Sequence, residues 1–295
     1  MKSFQDKNVL LTGAASGIGR ALAQQLAEAG TRLYLVDIDQ VGLAALADDL
    51  SSAGTTVWTR VCDLSVPADV SAMLNDFDHR VGILDLLFNN AGVAYYGPTE
   101  QMSAQQWDWL MQINLLSPIQ ITNHFLPHLL TRPDAHIANM CSISGIVAGG
   151  RFAAYNTSKF GLVGFTEALR AEYGRKGIGV TAICPGPVLT NLYKAAAAGR
   201  KDTAVPEPPS LLSATPEQVA HRSLVAIRRN RRQQLITPMA YGLHLMKKLT
   251  PGLIDFASQV SRKKKRRLAE LQRQEDERLA AAIEDTHVTR RGKAA

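Results

Sequence analysis

The sequence predicts an α/β fold, a doubly wound parallel sheet with helices on both faces. Three observations carry this. Short continuous apolar runs rich in Val, Ile and Leu recur along the chain, the pattern of strands buried on both faces. The segments between them carry apolar residues at helical spacing, so strand and helix alternate. A glycine-rich stretch, "TGAASGIG" at 12–19, falls between the first strand and the first helix.

The elements follow in order. "NVLLTG" is the first strand, and a helix runs from its glycine turn through Ala29. "RLYLVD" at 32–37 is the second strand, followed by a helix to about Ala53. Further buried strands are "TVWTRVCDL" at 56–64, "LDLLFNNAG" at 84–92, "AHIANMCS" at 135–142 and "GVTAICPGP" at 179–187, with a short "QQLITP" at 233–238. No internal repeat is evident, which excludes a solenoid. Two segments break the alternation. Residues 191–216 mix an alanine run with Pro, Gly and charge, and read as a long, partly helical excursion that closes over substrate. The end of the chain reads as a tail, so the expected organisation is one catalytic domain at 1–260 and a basic helical or disordered tail at 261–295.

At 295 residues with 46% hydrophobic content, the chain can bury a proper core. No run approaches the ~18 apolar residues of a membrane span. The start of the sequence lacks an apolar stretch followed by a small-residue cleavage site, which argues against a secretory leader. Cys62, Cys141 and Cys184 sit in or beside apolar runs without metal-ligand spacing, and their odd number points to a reducing, cytoplasmic setting. The formal net charge of +7 is uneven, because residues 261–295 hold 11 Lys or Arg and 6 Asp or Glu, a surplus of five, leaving the body near neutral.

Each glycine of the "TGAASGIG" turn has a physical task. Gly13 lets the chain turn sharply off the strand. Gly17 removes a side chain where a pyrophosphate approaches the backbone, and Gly19 lets the helix pack close to the sheet. The helix N-terminus, with Ser16 and Ile18 beside the glycines, offers unpaired N–H groups and a positive dipole end to phosphate. This is the phosphate cradle of a Rossmann-like dinucleotide fold. Asp37 ends the second strand, where a carboxylate accepts hydrogen bonds from the adenosine ribose and repels a 2′-phosphate. Ser16 offers no cation to that phosphate, so NAD is expected over NADP.

Further on, "NNAG" at 89–92, Asn114 in "MQINLLSP", Ser142, "YNTSK" ending at Lys159 and "PGPVLT" at 185–190 follow the glycine turn. In this order and at these separations the set resembles the short-chain dehydrogenases/reductases, in their short oxidoreductase branch, over roughly residues 5–190. The resemblance implies Asn114, Ser142, Tyr155 and Lys159 as the catalytic set, with Ser142 and Tyr155 touching substrate. It implies cofactor contacts at Gly13, Ser16, Gly17, Ile18, Gly19, Asp37, Asp63, Leu64, Asn90, Ala91, Gly92, Tyr155, Lys159, Pro185, Gly186, Val188 and Thr190. Asp63 and Leu64 would flank the adenine, and Asn114 would anchor a water linking Lys159 to solvent. The doubled asparagine at 89–90 has a second reading, in which it only stabilises the strand end. The family is commonly oligomeric, so a homodimer or homotetramer through the Tyr155–Lys159 helix is expected, and no metal.

The chemistry has its own argument. Free tyrosine titrates at about 10, and making it a base near neutrality needs roughly 3–4 kcal/mol of preferential phenolate stabilisation. Positions i and i+4 share a helix face, so Lys159 can hold its charge beside Tyr155. A close opposite charge moves a pKa by about 1–3 units, which suffices together with an oxidised nicotinamide. A neutral hydroxyl beside the substrate oxygen stabilises charge developing there. Ser142 precedes Tyr155 by thirteen residues at a strand end. Ser144 is its rival.

Other signals point elsewhere. His124 and His128 lack a completing glutamate and read as surface or packing histidines. Trp107 and Trp109 cannot share a helix face, so one is expected in the core and the other at an interface. Val93, Tyr95, Ile143, Val147 and Leu192 suggest an apolar pocket for a lipophilic secondary alcohol or ketone. The apolar stretch 239–260 and the cluster "RKKKRR" at 262–267 raise a peripheral membrane contact, against a lid, a dimer contact or a solvated tail. Nucleic-acid binding is not expected, because aromatic interleaving is absent. The reading from another class is a dinucleotide-binding regulatory or scaffold protein of low turnover acting through its tail.

Overall fold

The computed structural model describes residues 1–190, 197–198 and 212–252. Strands β1 (Asn8–Thr12), β2 (Arg32–Asp37) and β3 (Val57–Val61) alternate with helices α1 (Gly17–Glu28), α2 (Gln40–Ser52) and α3 (Pro67–Arg80). Then come β4 (Leu86–Asn89), the short β5 (Tyr95–Tyr96), α4 (Ala104–Met111), a π-helical turn over Gln112–Leu116, and α5 (Ser117–Leu130). The chain continues through β6 (His136–Met140), α6 (Ala153–Tyr173), β7 (Gly179–Pro185), β8 (Ala197–Ala198), α7 (Pro216–Arg228), β9 (Gln233–Ile236) and α8 (Pro238–Leu249).

Among the described residues the main sheet has the order β3-β2-β1-β4-β6-β7-β9, and every neighbouring pair is parallel. Side-chain alternation along each strand splits the core in two. Val9, Leu11, Leu33, Leu35 and Phe88 pack with α1, α2 and α7 on one face. Leu10, Tyr34, Val36, Leu87 and Ile137 pack with α3, α5 and α6 on the other. The order reverses direction between β1 and β4, so the loops leaving these strands part and open a crevice at their C-terminal ends. The strand expected at 56–64 is shorter and only half-buried, because β3 is an edge with one paired neighbour. It carries the polar Thr59 and Arg60 that a buried central strand would not tolerate.

The opposite end of the sheet is tied by a buried carboxylate. Asp85 is 1% exposed. One of its oxygens lies 3.0 Å from the Arg132 guanidinium and 3.7 Å from Lys7 Nζ, and the other accepts the Asn8 N–H at 3.0 Å. Its backbone carbonyl accepts the N–H of His136, so the starts of β1, β4 and β6 are held together.

The chain divides into two compact units, Met1–His244 and Leu245–Ala295. Within the second, Leu245–Leu249 continue α8. The expected boundary at 260/261, the basic cluster at 262–267 and most of the excursion at 191–216 lie outside the described residues. Among the described residues, no helix is long and apolar enough to cross a membrane.

Asp85→Ala leaves two cations around an apolar hole, and it should lower the free energy of unfolding by about 3 kcal/mol. Urea denaturation checks this. An unchanged midpoint would show that the ion cluster does not brace the strand ends.

Candidate active site

The glycine turn begins at Thr12, the last residue of β1. Gly13 adopts φ +67, and a Cβ there would lie 2.8 Å from Ala91 Cα. At Gly19 a Cβ would lie 1.8 Å from the Gly13 carbonyl oxygen. No side chain fits at either position. Ser16 is the N-cap of α1 in extended conformation and makes no side-chain capping bond, and the first turn has no acidic residue. The N-terminal N–H groups of α1 are therefore left without a side-chain acceptor, while Ile18 packs partly against the core.

Asp37 ends β2 beside this turn. One carboxylate oxygen accepts the Ala15 N–H at 2.8 Å and the other the Asp39 N–H at 3.0 Å. Asp39 caps α2 by accepting from Gly42 N–H, so two carboxylates stand together. The exit of β3 lies alongside, since Cys62 N–H donates to the Asp37 carbonyl. Asp63 there accepts the Ser65 N–H at 2.8 Å. The Leu64 side chain joins the core and its carbonyl accepts from Ser117 Oγ at 2.6 Å.

The two asparagines at the end of β4 divide their work. Asn89 faces inward and donates to Thr122 Oγ1 and Asn139 Oδ1. Asn90 reaches back to the carbonyls of Thr12 and Gly13 at 3.0 and 3.1 Å. In return Thr12 Oγ1 accepts the N–H groups of Asn90 and Ala91 at 3.0 and 3.1 Å. The crevice between β1 and β4 is thereby closed across its floor. Thr12 escapes a motif search built on glycines, although its hydroxyl just before Gly13 is the signal that could have found it.

Gly92 is the meeting point of two expected catalytic residues. A Cβ built on it would lie 3.3 Å from both Asn114 Oδ1 and Lys159 Nζ. Asn114 sits in the π-helical turn, fully buried. Its side chain accepts from Val93 N–H at 2.8 Å and donates to the Val93 carbonyl at 2.9 Å and to Ser158 Oγ at 3.1 Å. Lys159 is 3% exposed and donates to the Met140 carbonyl at 2.9 Å. Burial pulls its pKa down to about 8, against the partial support of the Cys141 and Cys184 thiols. Those two thiols share a hydrogen bond. The hydrogen bond from Cys184 and the Lys159 ammonium hold Cys141 below the usual thiol range despite its burial.

Lys159 Nζ lies 5.7 Å from the centre of the half-buried Tyr155 ring. Ser142, just beyond β6, accepts the Ser144 N–H at 3.1 Å and is nearly buried, while Ser144 is half-exposed. The turn they form is pressed on α6, for a Cβ on Gly145 would lie 2.5 Å from the Lys159 carbonyl oxygen. Sequence reading passed over Gly145 because its constraint is a tertiary approach. The far wall comes from the loop after β7. Pro185 ends that strand, Gly186 N–H donates to the Ile236 carbonyl, and Val188 bridges to Ala214. The Thr190 methyl lies 3.3 Å from where a Gly17 Cβ would stand, so this wall faces the glycine turn.

Around Tyr155, Tyr95, Leu110 and Ala154 form a small cluster joined by Val93, Met102, Trp107, Trp109 and Tyr155 itself. Both tryptophans are half-buried against it, and Trp109 also packs on the core formed with α3, α5 and α6, so neither is fully buried. Ile143 and Val147 are buried nearby in sequence, and Leu192 lies outside the described residues. β5 pairs with β8, a fragment of the excursion. His124 bonds Asp78 and lies near His128 in parallel array, which is a packing role. Among the described residues no group of His, Cys, Asp and Glu could hold a metal.

Comparison with known proteins agrees with this geometry. A family profile described as short chain dehydrogenase matches residues 7–201. A D-threitol dehydrogenase of Mycolicibacterium smegmatis is 37% identical over 72% of this chain and 83% of its own length. The crystal structure of a short-chain dehydrogenase/reductase from Burkholderia phymatum in complex with NAD aligns with TM-score 0.76 and 29% identity, covering 86% of this chain and 96% of the other. A short-chain dehydrogenase from Sphingobium yanoikuyae in complex with NADPH aligns with TM-score 0.69 and 25% identity, covering 87% and 95%. With a parallel sheet split at β1/β4, a turn at its mouth that admits no Cβ at Gly13 or Gly19 and a matching profile across two thirds of its length, the chain belongs to the short-chain dehydrogenase/reductase family, oxidoreductases that act on alcohols and ketones with a nicotinamide dinucleotide.

Proposed function

We propose that this protein transfers hydride between NAD(H) and a secondary alcohol or ketone, with Tyr155 giving and taking the proton. The observation that carries the reading is the buried Lys159 ammonium 5.7 Å from the Tyr155 ring, beside a glycine at the switch point of the sheet. The residues present fit the dinucleotide. The turn at Gly13 and Gly19 excludes every Cβ, and the uncapped start of α1 presents N–H donors to a pyrophosphate. Asp37, fixed by two backbone N–H groups, is placed to accept from ribose hydroxyls, and Asp39 beside it adds a second negative charge. Together they disfavour a 2′-phosphate, which supports NAD over NADP. When bound, the dinucleotide supplies the hydride acceptor or donor.

The remaining work falls to this chain's own side chains. Lys159 lowers the energy of the Tyr155 phenolate, so that during oxidation the phenol oxygen takes the carbinol proton, and during reduction it returns one. Its remaining N–H groups, beyond the one held by Met140, are available to ribose hydroxyls over Gly92. Ser142 already accepts from Ser144 N–H, which leaves its own proton to donate to the substrate oxygen where negative charge develops. This favours Ser142 over Ser144 for that role. Asn114 uses its amide to hold Val93 and Ser158, and so fixes the wall against which Lys159 lies. A water-anchoring role for Asn114 would rest on the lone pair this leaves.

Tyr155→Phe should lower kcat by about a hundredfold or more while leaving NADH binding, read by fluorescence titration, near that of the parent. Wild-type turnover by this variant would overturn the assignment. The parent should show a kcat/KM for NAD on the order of a hundredfold above that for NADP, and Asp37→Ser should narrow the ratio. A ratio favouring NADP in the parent would refute the Asp37 argument.

The third expectation concerns pH. A buried lysine at about 8 binds its proton less tightly than the unfolded chain's lysine at 10.5, so the unfolded state holds more protons between these values. Stability must then rise with pH across that window, by roughly 3 kcal/mol, and the strain is fully present below pH 8. Denaturant titrations of the parent and Lys159→Met from pH 7 to pH 11 test this. The difference between them should shift in the parent's favour as pH rises, and a flat difference would show that Lys159 is not strained.

A further inference from the structure

Two residues before α6, Arg151 adopts φ 70, a left-handed conformation rarely taken by residues with side chains. Gly149 and Gly150 directly precede it and could have absorbed the turn without strain. The arginine takes it instead, and its carbonyl is pinned by the Gly97 N–H at 2.9 Å. A strained residue held by its surroundings beside a reactive centre points to a function for its side chain.

The side chain has a definite place. The guanidinium carbon lies 5.7 Å from the centre of the Tyr96 ring. Tyr96 lies 5.0 Å from Phe152, and Phe152 lies 6.2 Å from Tyr155. An unbroken run of three rings thus leads from the catalytic phenol to an exposed cation. Arg20, Arg80, Arg132 and Arg232 each pair with a carboxylate, whereas among the described residues none pairs with Arg151. A guanidinium resting on a ring keeps its N–H edge free, and that edge matches a carboxylate in two parallel hydrogen bonds.

We propose that the substrate is an amphipathic acid, an alcohol or ketone whose apolar body lies along Tyr155, Phe152 and Tyr96 and whose terminal carboxylate is received by Arg151. The proposal deepens the oxidoreductase reading above and rests on it for the reacting end. Two rings stand between the phenol and the cation, so the carboxylate is remote from the reacting carbon, and an α-hydroxy acid is too short.

The test uses the full chain with NAD and a graded series of chains bearing a secondary alcohol near one end and a carboxylate at the other, each beside its methyl ester. At the best chain length the acid should exceed its ester about tenfold or more in kcat/KM, mainly through KM. Arg151→Gln should bring that ratio close to one, and Arg151→Glu should invert it in favour of the ester. Acid and ester used equally by the parent at every length would overturn the proposal, as would either variant keeping the acid preference. Calorimetric titration of the NAD-saturated parent and Arg151→Gln with an unreactive fatty carboxylate and its amide separates the two readings. Carboxylate-selective binding that Arg151→Gln abolishes, with no alcohol turned over, would keep the anion site and reject the oxidoreductase reading. Absence of selective binding alongside turnover of neutral alcohols would do the reverse.

Discussion

Burying an ammonium group at the mouth of an apolar sheet is costly, and the arrangement around Lys159 answers that cost at each point of approach. The Met140 carbonyl takes one of its protons, Asn114 Oδ1 shares the space over Gly92 with it, and two thiols lie within electrostatic reach. None of these is a carboxylate. A carboxylate partner would have held the lysine charged at less expense, but it would also have spent the positive charge that a phenolate needs. On the reading proposed above, the partly compensated cation is stressed when no substrate is present and relieved when an anion forms beside it. This is the sense in which the site is organised for a developing charge.

That one side chain constrains its neighbours. A Cβ on Gly92 would crowd both Asn114 and Lys159, and Gly145 must lack one because the Lys159 backbone passes there. Asn114 can present its amide to Val93 and Ser158 from within a widened helical turn, where an ordinary α-helix would rotate the same residue away. The hydrogen-bonded chain Asn89–Asn139–Thr166 runs from β4 through β6 to α6 and fixes the helix that carries both Tyr155 and Lys159. Packing alone would leave that helix free to slide along the sheet.

Much of this was legible in the residues themselves. The parallel sheet with helices on both faces follows from the alternation of strand and helix, although its strand order does not, and the glycine turn, Asp37, Ser142, Tyr155 and Lys159 stand at fixed chain separations that local sequence displays. What escaped were constraints set between distant segments. Nothing local to Thr12 announces that it will accept two N–H groups from the end of β4, and nothing in "SISG" shows that its last residue touches a helix. Arg151 was invisible for the same reason, because its backbone sign and its ring contact arise only when Gly97 and Tyr96 come alongside. The edge position of β3 explains why a run read as buried is half-open to solvent.

The Thr12 hydroxyl carries one more implication. As a double acceptor it satisfies two amides that no other group in the turn could reach, so the site tolerates change there by chemistry and not by bulk. Valine would match its shape and strand preference, yet would leave two hydrogens stranded in a nearly dry place. Serine would keep them bonded at the loss of a methyl group. Drift at this position is therefore confined to hydroxyl-bearing residues, and an oxygen atom, more than the glycines around it, sets how far the first loop can diverge.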